Sequence, residues 1–173
     1  RGLGDVYKRQ LMASRSGVSD ALLLAVVDED REGFIATANH AFANTQSTYF
    51  GYVAQDAYPG RQWLDKALKT LDKSQKSLLG FNDGKWNGLL AAFGLGRRAW
   101  LQANYNGPLF HADYQRHYAD VELTVLALDQ AQYCHEPHAV LIEVDWEKDT
   151  KKVSPQDKPV SYTHLTLPTN REV

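Results

Sequence analysis

The chain has 173 residues, 43% of them hydrophobic, with 19 Lys and Arg against 21 Asp and Glu and a formal net charge of −2. That composition suits one domain of ordinary size, argues against disorder through its four Trp and nine Tyr, and supplies no electrostatic footprint for nucleic acid. The only cysteine, Cys134, excludes an internal disulfide and a thiolate metal cluster, and the longest strongly apolar run, 21–27, is far too short to span a membrane.

In chain order, the first ten residues, Arg1 to Gln10, show no period tied to the neighbouring segment. They resemble translated sequencing-adapter read-through, as do residues 160–173. Both segments are set aside, which leaves 11–159 as a partial native domain. Ala21 to Val27 reads as a buried strand ending at Asp28-Glu29-Asp30, and Arg31 to Asn44 as a helix with Phe34, Ile35, Ala38, Ala41 and Phe42 on one face. Thr48 to Ala54 is a second strand, so strand, helix and strand predict a right-handed βαβ unit with parallel pairing. A helix is expected next over 61–74, with Trp63, Leu64, Ala67, Leu68 and Leu71 at helical spacing, then a short strand over 77–81 cut off by the turn signal Asn82-Asp83-Gly84. Leu89 to Leu95 reads as a strand, 97–103 as a short helix, and 104–119 as an aromatic, irregular stretch of the kind that is usually functional. A long helix over 119–132, a last strand over 138–144 and a charged connector over 148–157 complete the pattern.

Three acidic positions invite chemistry. Asp56 comes after an apolar strand and precedes Pro59-Gly60, the place in an open α/β sheet where ligands gather. A carboxylate there suits a divalent cation and, through it, phosphates, although Asp also opens turns for purely local reasons. Asp28 closes the preceding strand, and the two are expected to face one cleft; the bland alternative is a solvated acidic turn. Asp120, with Glu122, opens a helix, where it serves equally as a cap or as a catalytic carboxylate. Six His form no zinc spacing, His135 and His138 lying three apart around Pro137 with no partner pair. Cys134 beside His135 has nothing nearby in sequence to orient it as a nucleophile.

From about Ala21 to Trp146 these landmarks, in order, resemble the family-two nucleotide-sugar glycosyltransferases with the A-type, Rossmann-like fold. Val26-Val27-Asp28-Glu29-Asp30 resembles that family's strand ending in Val-Asp-Asp, and Thr37-Ala38-Asn39-His40-Ala41 its Arg-Asn-x-Gly segment, of which only Asn39 carries over. Ala54-Gln55-Asp56 sits where Asp-x-Asp belongs, with Ala54 in place of the first Asp. Phe93 to Trp100 resembles the strand and Arg-Arg pair before the acceptor side, Asn106 to Phe110 the Gly-Gly-Phe turn, and Tyr118 to Leu123 the segment Glu-Asp-Val-Asp-Leu, with Ala119 replacing the Glu and Asp120 retained.

The resemblance implies a three-layer α/β/α Rossmann-like nucleotide-diphospho-sugar transferase fold with a mixed, mostly parallel sheet, incomplete at its N-terminus. It implies sugar transfer from a nucleoside-diphosphate sugar to a glycan, lipid-linked or other hydroxyl acceptor. Asp120 would be the general base, Asp28, Asn39, Gln55 and Asp56 would contact the donor, and Asp56 would hold Mg or Mn. Tyr105 to Tyr118 would line the acceptor side or serve as ordinary core, and Glu143 or Asp145 could add a metal ligand. A reducing, cytoplasmic setting, free or peripheral to the inner membrane, fits the cysteine usage. Two alternatives stand beside this expectation. One is a non-catalytic nucleotide-sugar binding module, favoured by Ala54 and Ala119. The other is a sugar-phosphate nucleotidyltransferase, which would want a Gly-rich basic loop near the N-terminus.

Overall fold

The computed structural model describes residues 3–144. Among them are five helices and a mixed five-stranded sheet, an α/β arrangement. In chain order these are α1 (Leu3–Ser16), α2 (Phe34–Ala43), β1 (Tyr49–Tyr52), β2 (Ala57–Pro59), α3 (Trp63–Ser74), β3 (Leu78–Asn82), β4 (Gly94–Arg97), α4 (Arg98–Asn104), α5 (Ala119–Asp129) and β5 (Tyr133–Glu143). The strand order is β1-β4-β3-β5-β2. β4 runs antiparallel to both β1 and β3, β5 runs parallel to β3, and β2 runs antiparallel to β5.

Side-chain alternation along β3 divides the interior in two. Leu79 and Phe81 join a cluster with Trp63, Leu64, Ala67 and Leu71 of α3. Leu78 points the other way, into a cluster with Phe42, Leu101, Phe110, Tyr114, Leu123 and Ala127. Helix α3 forms because its buried residues recur at i, i+1, i+4 and i+8, a single stripe, while Asp65 and Lys69 pair on the exposed face at 2.8 Å. That surface pair contributes little. The stripe contributes far more, since burying one large apolar side chain is worth roughly 1.5–3 kcal/mol. The Trp63 indole N–H donates to the Met12 carbonyl at 3.0 Å, fastening α1 to this core.

Several expectations are corrected here. Residues 21–27 form no strand; Leu22 is 75% exposed and Val27 55%. An apolar run makes a strand only when another strand takes its ladder hydrogen bonds, and no described strand pairs with it. The βαβ unit therefore does not form, and Asp28 and Asp56 do not close adjacent parallel strands. The sheet is mixed, but of its pairings only β3 with β5 is parallel. Helix α2 begins at Phe34, three residues after the expected start. The expected strand at 89–95 appears only as β4, shifted to Gly94–Arg97, because the loop before it is tied down elsewhere. Helix α1 runs across the expected boundary at residue 10, with Tyr7 67% exposed and Met12 buried. Residues 145–173, including Asp145, the charged connector and the 160–173 segment, lie outside the described residues.

Candidate functional site

β1, β3 and β5 point the same way, so their carboxyl ends share one edge of the sheet, and β2, running oppositely, begins there. Three carboxylate residues gather on that edge: Asp56 just before β2, Asp83 just after β3, and Glu143 at the end of β5. Their backbones are stitched together. The Glu143 N–H donates to the Asp83 carbonyl at 3.1 Å, and the Val144 N–H donates to the Asp56 carbonyl at 3.2 Å. Asp56 sits in a turn closed by the Ala57 N–H on the Ala54 carbonyl at 3.2 Å, and its Oδ1 is shielded from solvent.

Asp83 is the most buried carboxylate of the edge, 1% exposed. Its Oδ1 accepts the backbone N–H groups of Lys85 and Trp86 at 2.9 and 2.8 Å. Its Oδ2 is buried and accepts no hydrogen bond from the described residues. Gly84, at φ +79°, lets the chain turn there. Burying a carboxylate oxygen without a partner is costly, which makes this atom a candidate donor to a cation at the edge. A hard oxygen donor fits Mg or Mn, and Mg is commonly held by only one or two carboxylates plus substrate phosphates. Among the described residues no three His, Cys, Asp or Glu side chains converge as a ready-made metal centre.

Asp120 is the second residue of α5, which starts after Tyr118 in the left-handed conformation at φ 67°. Burial lifts its carboxyl from 3.8 to about 6, and the first-turn amides of Val121 and of Asp120 itself, then His117 and Lys85, pull the other way without winning. A carboxyl held there ionises close to neutral pH, the range in which a general base works best. The loop between β3 and β4 joins Asp120 to Asp83. Its far end is stapled to α5, since Thr124 Oγ1 accepts the Ala91 N–H at 3.1 Å and donates to the Asp120 carbonyl. Tyr52 donates to the Ala91 carbonyl at 2.7 Å. The middle of the loop rests on β5, with Tyr133 donating to the Gly88 carbonyl at 2.9 Å. A methyl group at Gly80 would collide with the Tyr133 hydroxyl, so glycine is what lets the tyrosine lie across β3.

The other expected site residues fall elsewhere. Asp28 accepts the N–H groups of Glu32 and Gly33 at 2.9 and 2.8 Å, so its carboxylate closes the loop before α2 rather than a strand. Asn39 spends both ends of its amide on Phe110, donating to the carbonyl at 3.0 Å and accepting the N–H at 2.8 Å. Gln55 is exposed beside Asp56. The aromatic stretch is largely core: Tyr105 and Tyr114 donate to the two carboxylate oxygens of Glu122 at 2.8 and 2.6 Å. The Arg-Arg pair caps elements. Arg97 binds the Leu71 carbonyl and Asp72 at the end of α3, while Arg98 binds the Phe42 and Ser47 carbonyls and stacks on the Phe42 ring. Burial pushes the Cys134 thiol up, away from a reactive thiolate.

Asp83 is the residue that sequence reasoning passed over, because Asn82-Asp83-Gly84 is a strong turn signal. Like Asp56, it is an acid that ends an apolar strand, and that feature alone could have found it. Compared with protein-family models, with curated proteins and with solved structures, the chain gives no match.

Proposed function

We propose that the chain is part of a glycosyltransferase that moves a sugar from a nucleoside-diphosphate sugar to an acceptor hydroxyl, with inversion at the anomeric carbon. The observation that supports this best is a pair of unlike carboxylates connected through the β3–β4 loop, which starts at Asp83 and is fastened near its end, through Thr124, to the Asp120 backbone. Asp83 is a buried oxygen donor with spare capacity. Asp120, in the first turn of α5, binds its proton unusually tightly for an Asp. Helices packed on both sides of β3 are compatible with a layered, Rossmann-like transferase fold, and the ligand edge is the carboxyl edge such folds use.

In this reading Asp120 accepts the proton of the acceptor hydroxyl as that oxygen attacks the anomeric carbon, and the nucleoside diphosphate departs from the opposite face. Asp83 and Asp56 would hold Mg or Mn, which when bound would neutralise charge on the leaving diphosphate. Gln55 is exposed next to Asp56 and open to the donor. Asn39 acts indirectly, through the Phe110 backbone. The catalytic setting is taken to be cytoplasmic. A non-catalytic nucleotide-sugar binding module is the second reading. Ala119 favours it, being a buried, uncharged residue where the resemblance expects a Glu.

Calorimetric titration with UDP, GDP, CDP and dTDP, with and without Mn, tests the donor half of the reading. At least one nucleotide is expected to bind with metal and much more weakly without it, and Asp83→Asn is expected to abolish that difference. Binding that ignores both metal and Asp83→Asn, or no binding at all, overturns it.

A further inference from the structure

Glu122 lies inside the second core cluster, buried, on the first turn and a half of α5. A carboxylate in that position is costly unless its oxygens are taken up by donors. Here each oxygen receives a phenolic hydroxyl, Oε1 from Tyr105 and Oε2 from Tyr114. The two tyrosines lie at either end of the 105–114 stretch, and the His111 ring packs edge-on against both of them. A second fastening holds the middle, where Asn39 of α2 grips both the N–H and the carbonyl of Phe110. Downstream, the Ile35 N–H reaches the Gln115 carbonyl, and Gly33 lies so close to that carbonyl that a side chain there would collide with it. The segment that leads into α5, and hence to Asp120, is therefore pinned from α2 and from α5 itself.

We propose that Glu122 is a positioning residue, which through Tyr105 and Tyr114 makes the 105–118 segment a preformed wall rather than a lid and sets the approach to Asp120. This deepens the glycosyltransferase reading and rests on Asp120 being its base. The physical case is one of pre-organisation. Loops that close over substrates are drawn from the weakly held parts of a structure, with few buried contacts. This segment is instead held by four buried or half-buried polar side chains, its own Tyr105 and Tyr114 with Glu122 of α5 and Asn39 of α2. Tyr114 is only 2% exposed and cannot leave without exposing the Glu122 carboxylate to an apolar core. With the wall fixed, the chain entering α5 stays in place, which preserves the partial desolvation of Asp120 that a general base needs.

The test uses the ligand-free chain and two readouts that need neither donor nor acceptor: amide hydrogen exchange across 105–118, and the carbon-13 titration of the Asp120 carboxyl. In the unaltered chain the Phe110 amide should be strongly protected. Tyr114→Phe, which removes one charge-assisted hydrogen bond, should speed exchange across the segment by about ten- to hundredfold, and should move the Asp120 titration toward the ordinary Asp value as water enters. Glu122→Gln should do the same to both. Tyr105→Phe, the milder change, should give a smaller effect in the same direction and serves if the others fail to fold. Fast exchange in the unaltered chain, or variants that fold while leaving both readouts unmoved, overturns the proposal. A shift in both readouts with no sugar transfer detectable under any condition would uphold the pinned wall and count against Asp120 as a base, so the two failures are distinguishable.

Discussion

Asp120→Asn separates the cost of a buried charge from the rest of what this residue does. In the folded chain burial lifts the carboxyl from 3.8 to about 6, against the pull of the Val121 and Asp120 amides and then of His117 and Lys85. One pKa unit is about 1.4 kcal/mol, so a shift of roughly two units is on the order of 3 kcal/mol. The sign comes from counting protons. Between pH 3.8 and about 6 the folded chain keeps a proton that the unfolded chain has released. This group's contribution to stability therefore falls as pH rises through that window and is level above it. Asn carries no charge and keeps most of the shape. The unfolding free energy of Asp120→Asn, relative to the unaltered chain, should rise by roughly 2–3 kcal/mol from the acid side of the window to neutral pH. Urea unfolding at a series of pH values measures the difference directly. A difference that stays flat across the window, or falls toward neutral pH, would refute the claim that Asp120 is a desolvated carboxylate.

Three further outcomes are expected. Gly80→Ala should cost about 1–3 kcal/mol in thermal unfolding, because the added methyl displaces the Tyr133 hydroxyl and with it the bond to Gly88; a melt unchanged from the parent would contradict this. Arg98→Lys should cost on the order of 1–2 kcal/mol, since one ammonium cannot reach Phe42, Thr45 and Ser47 together while stacking on Phe42 and Phe50. Equal stability in chemical denaturation would show those contacts to be idle. Asp83→Asn keeps an oxygen for the Lys85 and Trp86 amides and removes a buried charge. Its stability in metal-free buffer should match or exceed that of the parent, whereas the parent alone should gain thermal stability from added Mn.

Much of the interior could be read from local pattern, because local pattern is what forms it. α3 declares itself by helical spacing, and β3 by an apolar run between turn residues; α5 carries no such stripe, burying Glu122, Leu123, Thr124 and Ala127 while Val125 and Leu128 are exposed. What failed depended on partners distant in sequence. The 21–27 run has every property of a buried strand except a neighbour to bond to. β2 is three residues long and ends at Pro59, below the length at which alternation shows. β5 was expected only from residue 138, because Pro137 hides its first half; the strand absorbs the proline in an irregularity opposite Phe81 and Asn82, where Asn82 Nδ2 donates to the Pro137 carbonyl. The positions of Asp56 beside a strand and of Asp120 at the start of a helix were legible from the sequence. Asp83 was hidden by its own good turn chemistry. Asn39 reads as a donor contact and is used up on the Phe110 backbone, a distinction that only the folded partners reveal.

Sugar transfer from a nucleoside-diphosphate donor at this edge, with Asp120 as the base, is tested most directly by phosphorus-31 NMR. The chain is mixed with Mg, a panel of nucleoside-diphosphate sugars and a mixture of sugar acceptors, and release of the free nucleoside diphosphate is followed. Release from one donor class is expected, slowed by about 10²–10⁴-fold in Asp120→Asn, with calorimetric donor binding nearly unchanged. Equal release by the parent and Asp120→Asn would contradict this reading, as would donor binding with no release by either.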